Sequence, residues 1–84
     1  MNAGFDADLS AAVLAFNEEA AGYCRGISDM TTQEYARNYA RMIVNRAQGL
    51  EFSLPRIPQG VFEPNRNLVR STLERMANKY FAAQ

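Results

Sequence analysis

Apolar residues recur at helical spacing in three stretches of the chain. In the first stretch, from Leu9 to Ile27, the intervals between apolar positions alternate between four and three residues. Because a helix turns about 100° per residue, these positions form one narrow stripe, which is typical of a helix packed along another helix. The pattern predicts a helix over residues 8–25, with Asp6 or Asp8 as its N-cap. The stripe consists of Leu9, Val13, Phe16, Ala20, Tyr23 and Ile27.

The second stretch predicts a helix over residues 31–48. Thr31 and Glu34 have the spacing of a capping box, in which each side chain accepts a hydrogen bond from the other residue's backbone amide. Gly49 follows the last apolar position, as expected of a glycine that ends a helix in a left-handed conformation. The predicted buried arc consists of Tyr35, Ala36, Tyr39, Ala40, Met42, Ile43 and Ala47.

The third stretch predicts a helix over residues 66–81. Asn65 or Asn67 would serve as its N-cap, since asparagine side chains accept from the free amides of a first turn. Arg70 and Glu74 are four residues apart and are predicted to form an ion pair on the flank of this helix. The predicted apolar stripe consists of Val69, Leu73, Met76, Ala77 and Tyr80.

Residues 50–64 contain all three prolines of the chain, interleaved with large apolar residues. Proline excludes a helix or a central strand here, and the apolar residues argue against a free linker. One interpretation is a segment that wraps the open face of the helices, which is favoured because three short helices enclose little core. The other is a binding loop that presents Phe52, Ile57 and Phe62 to a partner, since long connections are often functional.

The predicted fold class is therefore all-α. We expect a single small three-helix domain over residues 1–84, with a long, proline-containing and partly ordered connection between helices 2 and 3. A composition of 48 % hydrophobic and 21 % charged residues supports a folded chain, because disordered chains are less apolar.

Charge is divided along the chain, although its formal net charge is zero. Residues 1–34 hold six acidic residues and one arginine, a net charge of −5, whereas residues 35–84 hold eight basic and three acidic residues, a net charge of +5. Such a chain can dock its own halves, assemble with other copies or present a basic face to an acidic partner.

The residue types argue against catalysis. The chain has no histidine, a single cysteine and no glycine-rich phosphate loop. We therefore expect no enzyme activity, no metal and no cofactor. Cys24 is interpreted as a small buried hydrophobic residue. One cysteine fits a reducing compartment, and the longest apolar run is only six residues, so we expect a cytoplasmic protein that does not engage a membrane.

Arg46 is the charged residue that the helical pattern places on the apolar arc of the second helix. It either extends to water near the end of that helix or anchors a contact among aromatic residues. We hypothesise that it pairs with an acidic residue of residues 1–34 and so links the two halves.

The leading functional hypothesis is a non-catalytic protein–protein interaction module. It would act as an adaptor or inhibitor by docking on another protein, as small helical modulators from phages and mobile elements do. The candidate partner-binding residues are Leu14, Ala21, Arg46, Phe52, Ile57 and Phe62.

Two alternatives remain open. A nucleic acid could bind the polar face of the second helix, although the basic residues are scattered over several faces and the sequence pI is about 6.2. A self-assembling structural protein, and hence a homo-oligomer, is the other alternative. The residues of the polar face are Arg37, Asn38, Arg41 and Asn45.

Overall fold

The described part of the chain, residues 2–81, forms three helices, which confirms the predicted all-α fold. A computed structural model describes the backbone of residues 2–81 and the side chains of residues 8–81. Each helix contacts the other two, so they form a triangular bundle. The helices are α1 (Asn2–Arg25), α2 (Met30–Ala47) and α3 (Glu63–Phe81).

The core lies where the three predicted apolar stripes meet. Phe16 of α1 is fully buried, and its ring packs edge-on to Tyr80 and tilted against Phe81, with centroid distances of 6.5 and 5.5 Å. Cys24 is buried as predicted, and burial raises the pKa of its thiol. The buried apolar residues are Phe16, Ala20, Cys24, Tyr35, Ala36, Tyr39, Met42, Ile43, Val61, Val69, Leu73, Met76 and Ala77.

α1 begins six residues before its predicted start. Because the helix extends from Asn2, Asp6 and Asp8 lie inside it and the prediction of either as N-cap is wrong. Among the side chains that the structure describes, the buried residues of α1 fall in its second half, from Phe16 to Cys24. The second half of α1 therefore anchors the helix to the bundle.

Asp29, rather than Thr31, caps the start of α2. Its carboxylate accepts from the Thr32 hydroxyl at 2.5 Å and from the Thr32 amide at 2.9 Å. These two bonds hold the pKa of Asp29 below its ordinary value. The predicted capping box of Thr31 and Glu34 is wrong, because a carboxylate two residues earlier satisfies the first-turn amide and gains a second donor from the hydroxyl.

Gln33 ties the start of α2 to the end of α1. Its side-chain amide donates to the carbonyl oxygens of Cys24 and Ile27, both at 3.0 Å. The Cys24 carbonyl also accepts from the Ile27 amide at 3.0 Å, so Gln33 adds a second donor there and supplies a donor to the Ile27 carbonyl, which lies just beyond the end of α1. The bonds fix the short turn over residues 26–29.

α2 ends at Ala47, one residue before its predicted end, and Gly49 follows in the left-handed conformation that the sequence predicts. The amide of Gly49 donates to the Arg46 carbonyl at 3.1 Å, and the amide of Leu50 donates to the Asn45 carbonyl at 2.9 Å. These two bonds define a Schellman motif, which requires the left-handed φ of +72° that Gly49 adopts.

α3 begins at Glu63, earlier than predicted. The Arg66 amide donates to the Phe62 carbonyl at 2.9 Å, so Pro64 lies in the first turn, where no amide is needed. Asn65 and Asn67 therefore lie inside the helix, and the prediction of either as its N-cap is wrong.

The connection over residues 48–62 is ordered throughout, rather than partly ordered as predicted. Val61 is its one buried apolar residue among those described, and it follows a turn in which its amide donates to the Pro58 carbonyl at 3.4 Å. Gly60 supplies the positive φ of +96° that this turn requires.

The favoured interpretation, that the connection covers the core with its apolar residues, is wrong beyond Val61. The three helices supply every buried apolar residue of the described core except Val61, so the connection contributes little to it. Its other large apolar residues remain exposed. These residues are Leu50, Phe52, Leu54, Ile57 and Phe62.

Candidate functional site

A groove of about 440 Å³ lies between α1 and α2, and we call it the α1/α2 groove. Every residue that lines it belongs to one of these two helices. Small side chains allow the two helices to form a shallow apolar floor, which includes Ala20, Cys24 and Ala40. The lining residues are Asn17, Ala20, Ala21, Cys24, Arg25, Arg37, Ala40, Arg41 and Val44.

Three arginines form the rim of the α1/α2 groove. Arg25 comes from the last turn of α1, and Arg37 and Arg41 come from successive turns of α2; all three are exposed. Within the described part of the chain, none of the three forms an ion pair, and the groove lining contains no acidic residue. The positive charge of Arg37 reaches the floor, where it opposes the rise in the pKa of Cys24 that burial causes.

The polar face predicted for nucleic-acid binding is one continuous face of α2. Arg37, Asn38 and Arg41 line one hollow on its outer side. Asn38, Arg41 and Asn45 also line a second groove, of about 460 Å³, which α2 forms with residues 51–58 of the connection. We call this second groove the connection groove. The helical pattern thus located these four residues together correctly, and Arg41 lines both grooves.

Arg46 pairs with Glu74 of α3, so the hypothesis of an acidic partner within residues 1–34 is wrong. Its two terminal nitrogens donate to the two carboxylate oxygens at 2.7 and 3.1 Å. The Tyr39 hydroxyl donates to the same carboxylate at 2.7 Å. The predicted pair of Arg70 with Glu74 is also wrong, because the carboxylate turns towards α2, where it gains a bidentate partner and a hydroxyl.

The contacts among Tyr39, Arg46 and Glu74 set the pKa values of this cluster. Burial, followed by the hydrogen bond to the Glu74 carboxylate, raises the pKa of Tyr39 to about 12. The hydrogen bond from Arg46 is the main cause that lowers the pKa of Glu74, while the same bond raises the pKa of Arg46. The cluster therefore joins α2 to α3, and the charged group of Arg46 is already engaged within the fold.

The contact between the acidic and basic halves lies elsewhere. The carboxylate of Glu19 in α1 accepts from Lys79 at 3.1 Å and from the Tyr80 hydroxyl at 2.5 Å, both in α3. These bonds lower the pKa of Glu19, with the Tyr80 hydroxyl as the larger cause, and raise the pKa of Tyr80.

The six candidate partner-binding residues do not form a single surface. Ala21 lines the α1/α2 groove, and Leu14 lies two turns before it on the same helix face. Phe52 lines the connection groove, while Ile57 and Phe62 are exposed elsewhere in the connection.

Arg25 is the rim residue that sequence reasoning missed. It lies in the acidic segment of the chain, and its approach to Arg37 and Arg41 depends on how α1 is aligned against α2. The helix-packing register carries that information, and a helical wheel of a single helix does not. The one available signal is the position of Arg25 in the last turn of α1, near the turn that brings α2 back alongside.

In the part of the chain that the structure describes, no cluster of three or more acidic or cysteine side chains could hold a metal ion. None of the three helices, as far as they are described, has the length and apolar character needed to cross a membrane. No family model, curated protein or solved structure matches this chain, so its function must be inferred from its own residues.

Proposed function

We propose that this protein is a non-catalytic interaction module that acts by docking on another protein. The observation that supports this most directly is the ordered connection, which exposes four large apolar side chains within eleven residues, from Phe52 to Phe62. Leu54 is 73 % exposed and Phe62 is 66 % exposed, so the fold does not use them for packing. Exposed apolar residues concentrated in one segment are typical of interaction sites.

The proline content of the connection supports the same proposal. Binding by a flexible loop costs conformational entropy, and a segment that is already ordered loses less on docking. Pro55, Pro58 and the turn at Gly60 hold the exposed apolar residues in fixed positions.

In its finer form, the proposal is an adaptor or inhibitor that acts in the cytoplasm on a host protein, as phage and mobile-element modulators do. The lack of histidine and the burial of the single cysteine support a role without catalysis. The exposed basic rim favours nucleic-acid binding as a second candidate function, and such binding would depend steeply on salt concentration.

Affinity capture from the native host, followed by mass spectrometry, tests the docking proposal. We expect a protein that is enriched with the wild-type chain and lost when Phe52 and Leu54 are both changed to serine. The matched control changes Met30 and Leu68 to serine, because this pair is at least as exposed as Phe52 and Leu54 but lies outside the connection.

The proposal requires the control variant to retain the partner that the connection variant loses. Recovery of the same proteins with both variants would exclude the connection as a docking surface. Circular dichroism of each variant establishes that the helices remain folded.

A further inference from the structure

We infer that the α1/α2 groove binds an amphipathic helix with acidic flanks, contributed by a partner protein. This inference rests on the proposed docking function and adds a second surface to it, which shares Arg41 with the connection groove. The floor, the charge of the rim and the direction of the groove each define a property of the occupant.

The floor requires an apolar occupant with larger side chains than its own. Ala20, Ala21 and Ala40 leave space above both helix backbones, and Val44 closes one side. Leu14, which is 71 % exposed, lies two turns before Ala21, but the exposed side chains of Asn17 and Glu18 lie between them, so the apolar floor ends near Ala20 and Ala21. Leucine or phenylalanine side chains projecting from a partner would fill the groove and bury this surface.

The rim requires an acidic occupant. Three arginines surround the groove without an acidic residue in the lining, so the local charge is positive although the chain as a whole is neutral. Carboxylates on both flanks of an occupant would pair with Arg25 on one side and with Arg37 and Arg41 on the other. Such complementarity selects the partner and orients it.

The direction of the groove favours a helix over an extended peptide. It runs between two helices that already pack side by side, so a helix placed there adds a fourth member to the bundle. The part of α1 that lines the groove, from Asn17 to Arg25, spans about 12 Å, which matches about nine residues of a partner helix. Because Arg37 and Arg41 are four residues apart, their partner carboxylates should also be three or four residues apart.

A nucleic acid would complement the charged rim of the groove but not its apolar floor. Phosphates would pair with the arginine rim, but Asn17 is the one polar uncharged side chain in the lining, and the alanines and valine of the floor offer no hydrogen-bond partner to a backbone or base. The apolar floor therefore distinguishes the two occupants.

A designed peptide tests the inference on the full chain. The probe is a fluorescein-labelled, stapled helix of about 14 residues, with leucine along one face and glutamate pairs at i,i+4 on both flanks. Fluorescence anisotropy at low salt should show saturable binding. Replacing Arg37 and Arg41 with glutamate should weaken that binding by about tenfold or more, because two attractive charge pairs become repulsive.

Matched variants separate groove binding from general charge attraction. Arg70→Glu combined with Arg75→Glu makes the same change in net charge on exposed positions of α3 and should leave the affinity within about twofold. Ala21→Trp fills the groove without changing the charge and should abolish binding. Since Ala21 is exposed, circular dichroism should show a folded protein.

Several results would overturn the inference. These are equal binding of a lysine version of the peptide, unchanged binding by Ala21→Trp, an equal loss with the α3 variant, and no saturation at millimolar peptide. Binding of a DNA oligonucleotide through Arg37 and Arg41, without peptide binding, would instead assign the rim to phosphates.

The groove and the connection can fail independently. If the peptide does not bind but a native partner is still captured through Phe52 and Leu54, the groove inference fails and the docking function stands. If the peptide binds and capture is unaffected by the connection variant, the groove stands and the connection is excluded.

Discussion

At the scale of single residues, the carboxylate of Glu74 is held by three side-chain hydrogen bonds. It accepts from the two terminal nitrogens of Arg46 and from the Tyr39 hydroxyl, although side chains of both members of the ion pair remain more than one-third exposed. Exposure limits the energy of an ion pair, whereas the bond from the buried Tyr39 is less accessible to competing water. The tyrosine bond should therefore contribute much of the stabilisation.

Changing Glu74 to glutamine should lower the free energy of unfolding by about 1 kcal/mol near neutral pH, after allowance for solvent screening. The pKa of Glu74 in the fold lies below its ordinary value of 4.5, so the ionised group stabilises the fold above that pH. This stabilisation is lost as the pH falls through the folded-state pKa. Urea unfolding at about pH 7 and about pH 3 measures this effect. The free energy of unfolding should fall less between the two pH values for Glu74→Gln than for the wild type.

The exposed carboxylate of Glu51 provides the control for this measurement. Glu51→Gln makes the same chemical change in the connection, where the exposed carboxylate has no ion pair that the structure describes, and it should leave the stability near neutral pH close to that of the wild type. An equal effect of the two substitutions would contradict the assigned role of Glu74.

At the scale of helices, the periodic stripes were predictable and the helix ends were less so. The buried face of each helix follows from apolar spacing, because burial dominates the energetics of packing. The start of α2 depends on which of several adjacent polar side chains accepts from the first turn, and Asp29 competes successfully with Thr31. The end of α2 was predictable because Gly49 alone there tolerates a left-handed conformation without strain.

Gln33→Met tests the side-chain cap between α1 and α2. Methionine has a similar length and helix propensity but cannot donate to the carbonyls of Cys24 and Ile27. The substitution should lower the free energy of unfolding by about 1 kcal/mol, because the Ile27 carbonyl loses its side-chain donor while the Cys24 carbonyl keeps the Ile27 amide. The midpoint of urea unfolding measures this loss.

Gln59→Met is the matched control, since Gln59 is exposed in the turn before Val61 and donates no side-chain bond that the structure describes. It should change the unfolding midpoint little. If the two methionine variants unfold together, the bonds of Gln33 contribute nothing to the junction.

At the scale of the whole molecule, the division of charge is expressed as a contact between the acidic α1 and the basic α3. Sequence reasoning predicted that α1 lies against the later helices, but it assigned the contact to Arg46 instead of Lys79. The error has a physical cause. Arg46 lies on the apolar arc of its helix, and such a position identifies a residue that needs a partner without identifying which helix supplies it.

Reversing the charges of this contact tests its role. Glu19→Lys and Lys79→Glu should each lower the melting temperature, because each places like charges side by side across α1 and α3. The double variant should recover part of the loss. The recovery should shrink at about 500 mM salt, where screening weakens exposed ion pairs.

Light scattering on the same samples tests whether this contact forms within one chain or between two copies of the chain. All variants should have the same mass at about 50 mM and about 500 mM salt if the pair forms within the molecule. A mass that changes with the charge reversal would instead assign the contact between Glu19 and Lys79 to two copies of the chain.

The anchoring of the connection at both ends has a consequence for how this protein can change over evolution. Gly49 fixes one end through the Schellman motif, and Val61 fixes the other by entering the core after the Gly60 turn. Residues 51–57 lie between these anchors, and none of their side chains is buried in the core. Their sequence can therefore vary, or be replaced by a grafted segment or a randomised library, with little loss of foldability.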